Sequence, residues 1–127
     1  MSRLVAGWLL PQEERGPLLA LVPPRYPRLV AHHVTLKPGV GKDHPLRPEK
    51  EGRIVGVADD GKGVQALVVE IGGTTDRPDG STWHITWSLG AGRKPVESSD
   101  VIRSHGWKPL EPPRTIRLEP AVFDSTQ

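Results

Sequence analysis

The stretch Trp83-His84-Ile85-Thr86-Trp87-Ser88-Leu89 most constrains what this chain can fold into. It is rich in the β-branched and aromatic residues that favour strands. Side chains on a strand alternate faces, so His84, Thr86 and Ser88 line up together while Ile85, Trp87 and Leu89 turn into a core. His33-Val34-Thr35-Leu36 repeats the order histidine, apolar, threonine, apolar. There His33 and Thr35 share one face, and Val34 and Leu36 share the other. Two such segments in one short chain predict paired strands that set two imidazoles and two hydroxyls around a cleft.

The rest of the chain supplies short elements around these two. With 127 residues there is room for one domain, 1–127, with a modest core. Gly and Pro number 14 each, which favours short strands and frequent turns over long helices. A first strand is expected over 5–10, ended by Pro11. A short helix follows within 12–22, interrupted at Gly16-Pro17 and able to begin at Pro17, where a first-turn proline is well tolerated. The strand with the first motif spans 28–36. A hairpin is expected from 52–58 and 63–71, turning at Asp59-Asp60-Gly61-Lys62. Its second arm is apolar on both faces. The second motif strand covers 81–89, a helix covers 98–106 between its serine cluster and Gly106, and a last strand covers 114–118. Residues 124–127 are expected to fray. Trp8, Trp87 and Trp107 are expected in the core, and Trp83 on the face opposite His84.

The paired motifs, His33-Val34-Thr35-Leu36 and His84-Ile85-Thr86-Trp87, resemble those of the two-histidine (2H) phosphoesterase superfamily, whose members carry two His-x-Thr/Ser motifs flanked by apolar residues. The resemblance implies an α+β fold: two small lobes of antiparallel β-sheet with short flanking helices around a central cleft. It implies a metal-independent 2′,3′-cyclic phosphodiesterase, with His33 and His84 as general acid and base in an unassigned order. Thr35 and Thr86 would bind the phosphate. Among the branches of the superfamily, the chain is similar to RNA 2′,3′-cyclic phosphodiesterases and the phosphodiesterase domains of tRNA ligases. The implied partners are RNA 2′,3′-cyclic phosphate ends or cyclic nucleotides, with a monomer expected.

Histidine suits both roles because its ordinary value near 6.5 leaves each protonation state accessible at neutral pH. Ser88 continues the face of the second motif, and Tyr26, Lys37 and Arg77 lie where they could flank the cleft, so these four are candidate substrate-binding residues. The loop 37–50 reads either as a solvated surface loop or as a flap bringing Lys37 or Lys42 to an anionic ligand. His32 falls on the opposite face from His33 in a regular strand and reads as packing or surface. His44 and His105 have no partners at ligand spacing, and no His-Glu-x-x-His cluster occurs, so neither a metal nor a cofactor is expected. The absence of cysteine excludes disulfides and thiolate metal sites and suits a reducing compartment, hence a cytoplasmic location. No apolar run reaches the roughly 18–20 residues that span a bilayer. Seventeen basic and fifteen acidic residues give a net charge of +2, which selects no partner. The competing expectation is a non-catalytic module that binds a nucleotide or a protein through the same cleft.

Overall fold

Apolar residues on both faces of one strand explain the layering. In the computed structural model, which describes residues 3–124, strand β5 (Val64–Glu70) sends Leu67 and Val69 into one core cluster and Val64, Ala66 and Val68 into another. A strand buried on both sides must lie between two layers. The first layer is the interior of a curved antiparallel sheet, filled by Trp8, Val34, Ile54, Ile85, Trp87 and Ile116. The second is helix α2 (Glu97–His105), whose Val101 and Ile102 close over the outer face of the sheet.

The elements run β1 (Leu4–Leu9), α1 (Gln12–Leu21), β2 (Arg28–Leu29), β3 (His33–Pro38), β4 (Glu51–Asp59), β5, β6 (His84–Leu89), α2, β7 (Lys108–Arg117) and β8 (Glu119–Asp124). The sheet has eight strands in the order β7-β4-β5-β6-β3-β1-β8, with β2 also on β6. The protein is therefore α+β, dominated by antiparallel sheet with two short helices. Only Leu118 separates β7 from β8, yet they occupy opposite ends of that order. The sheet therefore wraps until its ends meet. Its weakest seam is β3 against β6, where a single pair, Val34 and Ile85, joins the two motif strands.

Several elements differ from the sequence reading. Helix α1 runs through Gly16 and Pro17, because it opens earlier: the Pro11 carbonyl accepts from the N–H groups of Glu14 and Arg15, both over 3.0 Å. Leu18 is fully buried and anchors it. The strand expected over 28–36 is broken at 30–32. The last strand is longer than 114–118 and contains Pro109, Pro112 and Pro113. Pro112 and Pro113 sit where β7 changes register against β4, between the pairs Ile54–Arg114 and Gly56–Pro109, and Pro109 is at the edge of that irregularity, so they interrupt few ladder bonds. Asp124 is paired with Leu4 in β8 rather than frayed, and residues 125–127 lie outside the described residues. Trp107, expected in the core, is 39% exposed, whereas Trp83 is buried, at 1% exposure, in keeping with its expected place on the face opposite His84. Among the described residues, no helix is long and apolar enough to cross a membrane.

Candidate active site

The break in the 28–36 segment builds the site. On β6 one step separates Thr86 from Ile85. On the facing chain, the Ala31 N–H donates to the Thr86 carbonyl over 3.0 Å, and the partner of Ile85 is Val34. Three steps thus oppose one, and the two surplus residues, His32 and His33, have no partner on β6, although His33 still pairs with Leu9 of β1 and the His32 carbonyl accepts from the Leu10 N–H over 3.0 Å. Bulges of this kind re-aim side chains beside functional sites. Ala31 carries the bend at φ 45°, in the left-handed region that a side chain enters at a cost of about 1–2 kcal/mol. Arg15 of α1 holds the bend from behind, its Nε donating to the Ala31 carbonyl over 3.0 Å.

His32 therefore does not point away from His33, as an unbroken strand would require. The two Nδ1 atoms are 3.0 Å apart, and the rings meet edge to face. Phe123 of β8 packs against both, with ring centroids 4.9 Å from His33 and 6.0 Å from His32. Burial, foremost, and then the neighbouring His32 and His84 hold His33 down to about 4. His32 is lowered as well, by burial and by Arg15. On β6, His84 Nδ1 lies 2.8 Å from the Thr82 carbonyl, which can only accept. That nitrogen carries the proton, so Nε2 of the neutral ring keeps its lone pair. Burial lowers His84 too, against the opposing pull of the Thr82 carbonyl.

Both motifs line one cavity of about 740 Å³: His33 and Thr35 from β3, His84 and Thr86 from β6. Arg77 also reaches it from the 72–83 loop, although nothing in its local sequence says how it is held. Its Nε and Nη2 each donate to Asp79 over 3.0 Å, and its Nη1 donates to the Thr35 carbonyl over 3.2 Å. Arg77 and Ser81 together keep the Asp79 carboxyl far below the usual carboxylate range. Three further cations line the cavity, Arg15, Arg28 and Lys94, and sequence reading singled out none of them. Among the described residues, Asp79, already paired, is the one carboxylate in the lining. Among the described residues, none of those three cations is in an ion pair. A chain with a net charge of only +2 thus gathers positive charge at one opening, which concentrates anions there.

The other candidates separate from the site. Ser88 does follow Thr86 along β6, but it is fully buried: its hydroxyl donates to Gln65 Oε1 over 2.6 Å and accepts from the Tyr26 N–H over 3.1 Å. The connector 23–26 covers it. Tyr26 turns its own hydroxyl to Asp59 over 2.6 Å, so neither Ser88 nor Tyr26 reaches the cavity. Lys37 is exposed beyond Thr35 and stands outside the lining. The loop after it is no flap, because it packs back on β1: the Trp8 Nε1–H donates to the Glu49 carbonyl over 2.8 Å. Lys42 is likewise exposed and outside the lining.

Thr86 is in place, but its hydroxyl is engaged. It lies 2.8 Å from the hydroxyl of Ser98 and donates weakly to the Pro95 carbonyl over 3.4 Å. Ser98 is fully buried for that purpose and does not cap α2, although a serine cluster before a helix reads as a cap. Among the described residues, no group of three or more His, Cys, Asp or Glu side chains is arranged to hold a metal ion. Comparison with protein-family models, with curated proteins and with solved structures gives no match to this chain.

Proposed function

We propose that the protein is a phosphoric diester hydrolase that opens 2′,3′-cyclic phosphates on RNA ends or small nucleotides. The observation that carries this reading is the convergence of both His-x-Thr motifs on one cation-lined cavity. A phosphodiester is an anion, and an unpaired cation near it is worth far more in a partly dry site than in water. In this reading Arg28 and Lys94 attract the phosphate, and Arg77, its charge matched by Asp79, forms a fixed wall beside them.

His84 is the base, because its Nδ1–H is already donated and only Nε2 can take a proton. It removes a proton from water as the water oxygen bonds to phosphorus. The P–O bond to one ribose oxygen breaks, and His33 returns a proton to that oxygen. Held down to about 4, His33 is largely neutral at pH 7. A bound phosphate supplies the opposite charge that favours its protonated form. His32 Nδ1 can then accept the His33 Nδ1–H, which leaves the other His33 nitrogen to serve the leaving group. Thr35 donates to a non-bridging oxygen, and Thr86 joins it once its hydroxyl turns from Pro95. We read the two halves of the sheet, β7-β4-β5-β6 and β3-β1-β8, as the two lobes of a 2H-like fold meeting at Val34 and Ile85. A cytoplasmic location accords with the lack of cysteine.

A second reading, an anion-binding module without turnover, draws on two observations. His33 is held near 4, which depletes the acid, and the Thr86 hydroxyl is already spoken for. An assay on 2′,3′-cyclic nucleotides with excess chelator separates the two. Ring opening that persists with chelator supports the hydrolase. Saturable binding with no opening at any pH from 4 to 8 supports the module. Activity that vanishes with chelator and returns with added zinc or manganese refutes the metal-free mechanism.

A further inference from the structure

Beside the histidine cavity lies a second cavity of about 690 Å³, and the two share Arg77, Asp79 and Ser99 in their walls. They are neighbouring compartments of one groove. The far compartment is walled by Trp107 and Arg103, where α2 ends and β7 begins. Trp107 is 39% exposed, whereas Trp8, Trp83 and Trp87 are at most 1% exposed. The benzo edge of its ring rests on Gly56: a Cβ added there would stand 2.0 Å from Cε3. Glycine at position 56 thus lets the indole lie against the backbone of β4 and holds it in place while leaving part of the ring bare. Arg103 extends beside it with its side chain 77% exposed, paired at the surface with Asp100 over 2.6 Å. A fixed aromatic surface with an exposed cation beside it is the pairing that single-stranded nucleic acids use, base on ring and phosphate on guanidinium.

We infer that the substrate is the 3′ end of a single-stranded RNA, its cyclic phosphate in the histidine cavity and the base of the preceding nucleotide stacked on Trp107. This rests on the proposed hydrolase reading for the terminal phosphate. The chemistry of the two compartments fits it, since one collects cations around a small anion and the other offers a base platform a short way along the same groove. A free cyclic mononucleotide fills the first compartment alone.

The test reads binding rather than turnover. Because three of the four indoles are buried, acrylamide quenching of tryptophan emission reports chiefly on Trp107. A tetraribonucleotide ending in a 2′-phosphate, which is not hydrolysed, is titrated against the corresponding mononucleotide 2′-phosphate. The expected result is that the tetranucleotide shields the emission from acrylamide and binds about tenfold or more tightly than the mononucleotide. In Trp107→Ala that affinity ratio should collapse towards one, and in Trp107→Phe, which keeps a ring, it should largely persist. Equal affinities in the parent, or a ratio unchanged in Trp107→Ala, would overturn the inference. If the tetranucleotide binds as expected but no cyclic phosphate is ever opened, the Trp107 platform stands and the hydrolase reading falls.

Discussion

His33 shows how one side chain acquires its chemistry from its surroundings. Its imidazole is not unusual in sequence, yet burial, foremost, and then His32 and His84 press it down to about 4, with Phe123 packed against the ring. An unfolded histidine titrates near 6.5. Between those values the unfolded chain binds more protons than the folded one, so stability rises with pH across that window. The shift corresponds to roughly 3 kcal/mol, absent above pH 6.5 and fully incurred below about 4. The melting temperature should therefore fall as pH drops through this range, and His33→Gln should flatten the fall; identical slopes in both proteins would refute the burial argument. The threonines separate at the same scale. Thr35→Val removes a hydroxyl from the cavity and should lower kcat by about 10²–10³-fold with little change in melting. Thr86→Val also strands the buried Ser98 hydroxyl and should cost about 1–3 kcal/mol of stability, which melting curves would register. Equal melting of the two variants would contradict the Thr86–Ser98 assignment. The four motif residues were legible because a His-x-Thr pattern within one strand fixes its own facing. His32 was not, since a two-residue slip in register leaves no mark on the local pattern. Ser98, Arg15, Arg28 and Lys94 were hidden for a similar reason: only the fold brings them to their partners.

At the scale of elements, the site depends on how closely β1 and β3 approach. Gly7 sits at the irregularity of that pair, and a Cβ there would lie 2.1 Å from the Val34 carbonyl oxygen. No side chain can yield, because the obstacle is backbone. Gly7→Ala should push β3 outward, lower stability by roughly 1–3 kcal/mol and reduce activity even where the protein remains folded. Unchanged melting would show that the two strands are not locked together. The hairpin β4–β5 was readable from its Asp-Gly turn and apolar arms, and α2 from Gly106 at its end. By contrast, β7 was obscured by its prolines and α1 was cut short by Pro17. In both places tertiary packing outweighed a local breaker: Leu18 is buried under α1, and Ile116 and Leu118 are buried where β7 passes to β8.

For the whole molecule, the closure of the sheet assembles the site. The segment 108–124 pairs first with β4 and then with β1, so β8 places Phe123 against both His32 and His33. Cations spread along the sequence at 15, 28, 77 and 94 meet at one opening. The wrapped order of strands could not be read from the sequence, because nothing local says that one stretch will serve both ends of a sheet. The central claim is that the two motif histidines, His33 and His84, exchange protons with a cyclic phosphate, and its most direct measurement is kcat for opening a 2′,3′-cyclic nucleotide by the parent, His33→Gln and His84→Gln, each confirmed folded. General acid–base groups typically contribute on the order of 10²–10⁴-fold, so each variant should lose activity within that range. Full activity in either folded variant would contradict the claim.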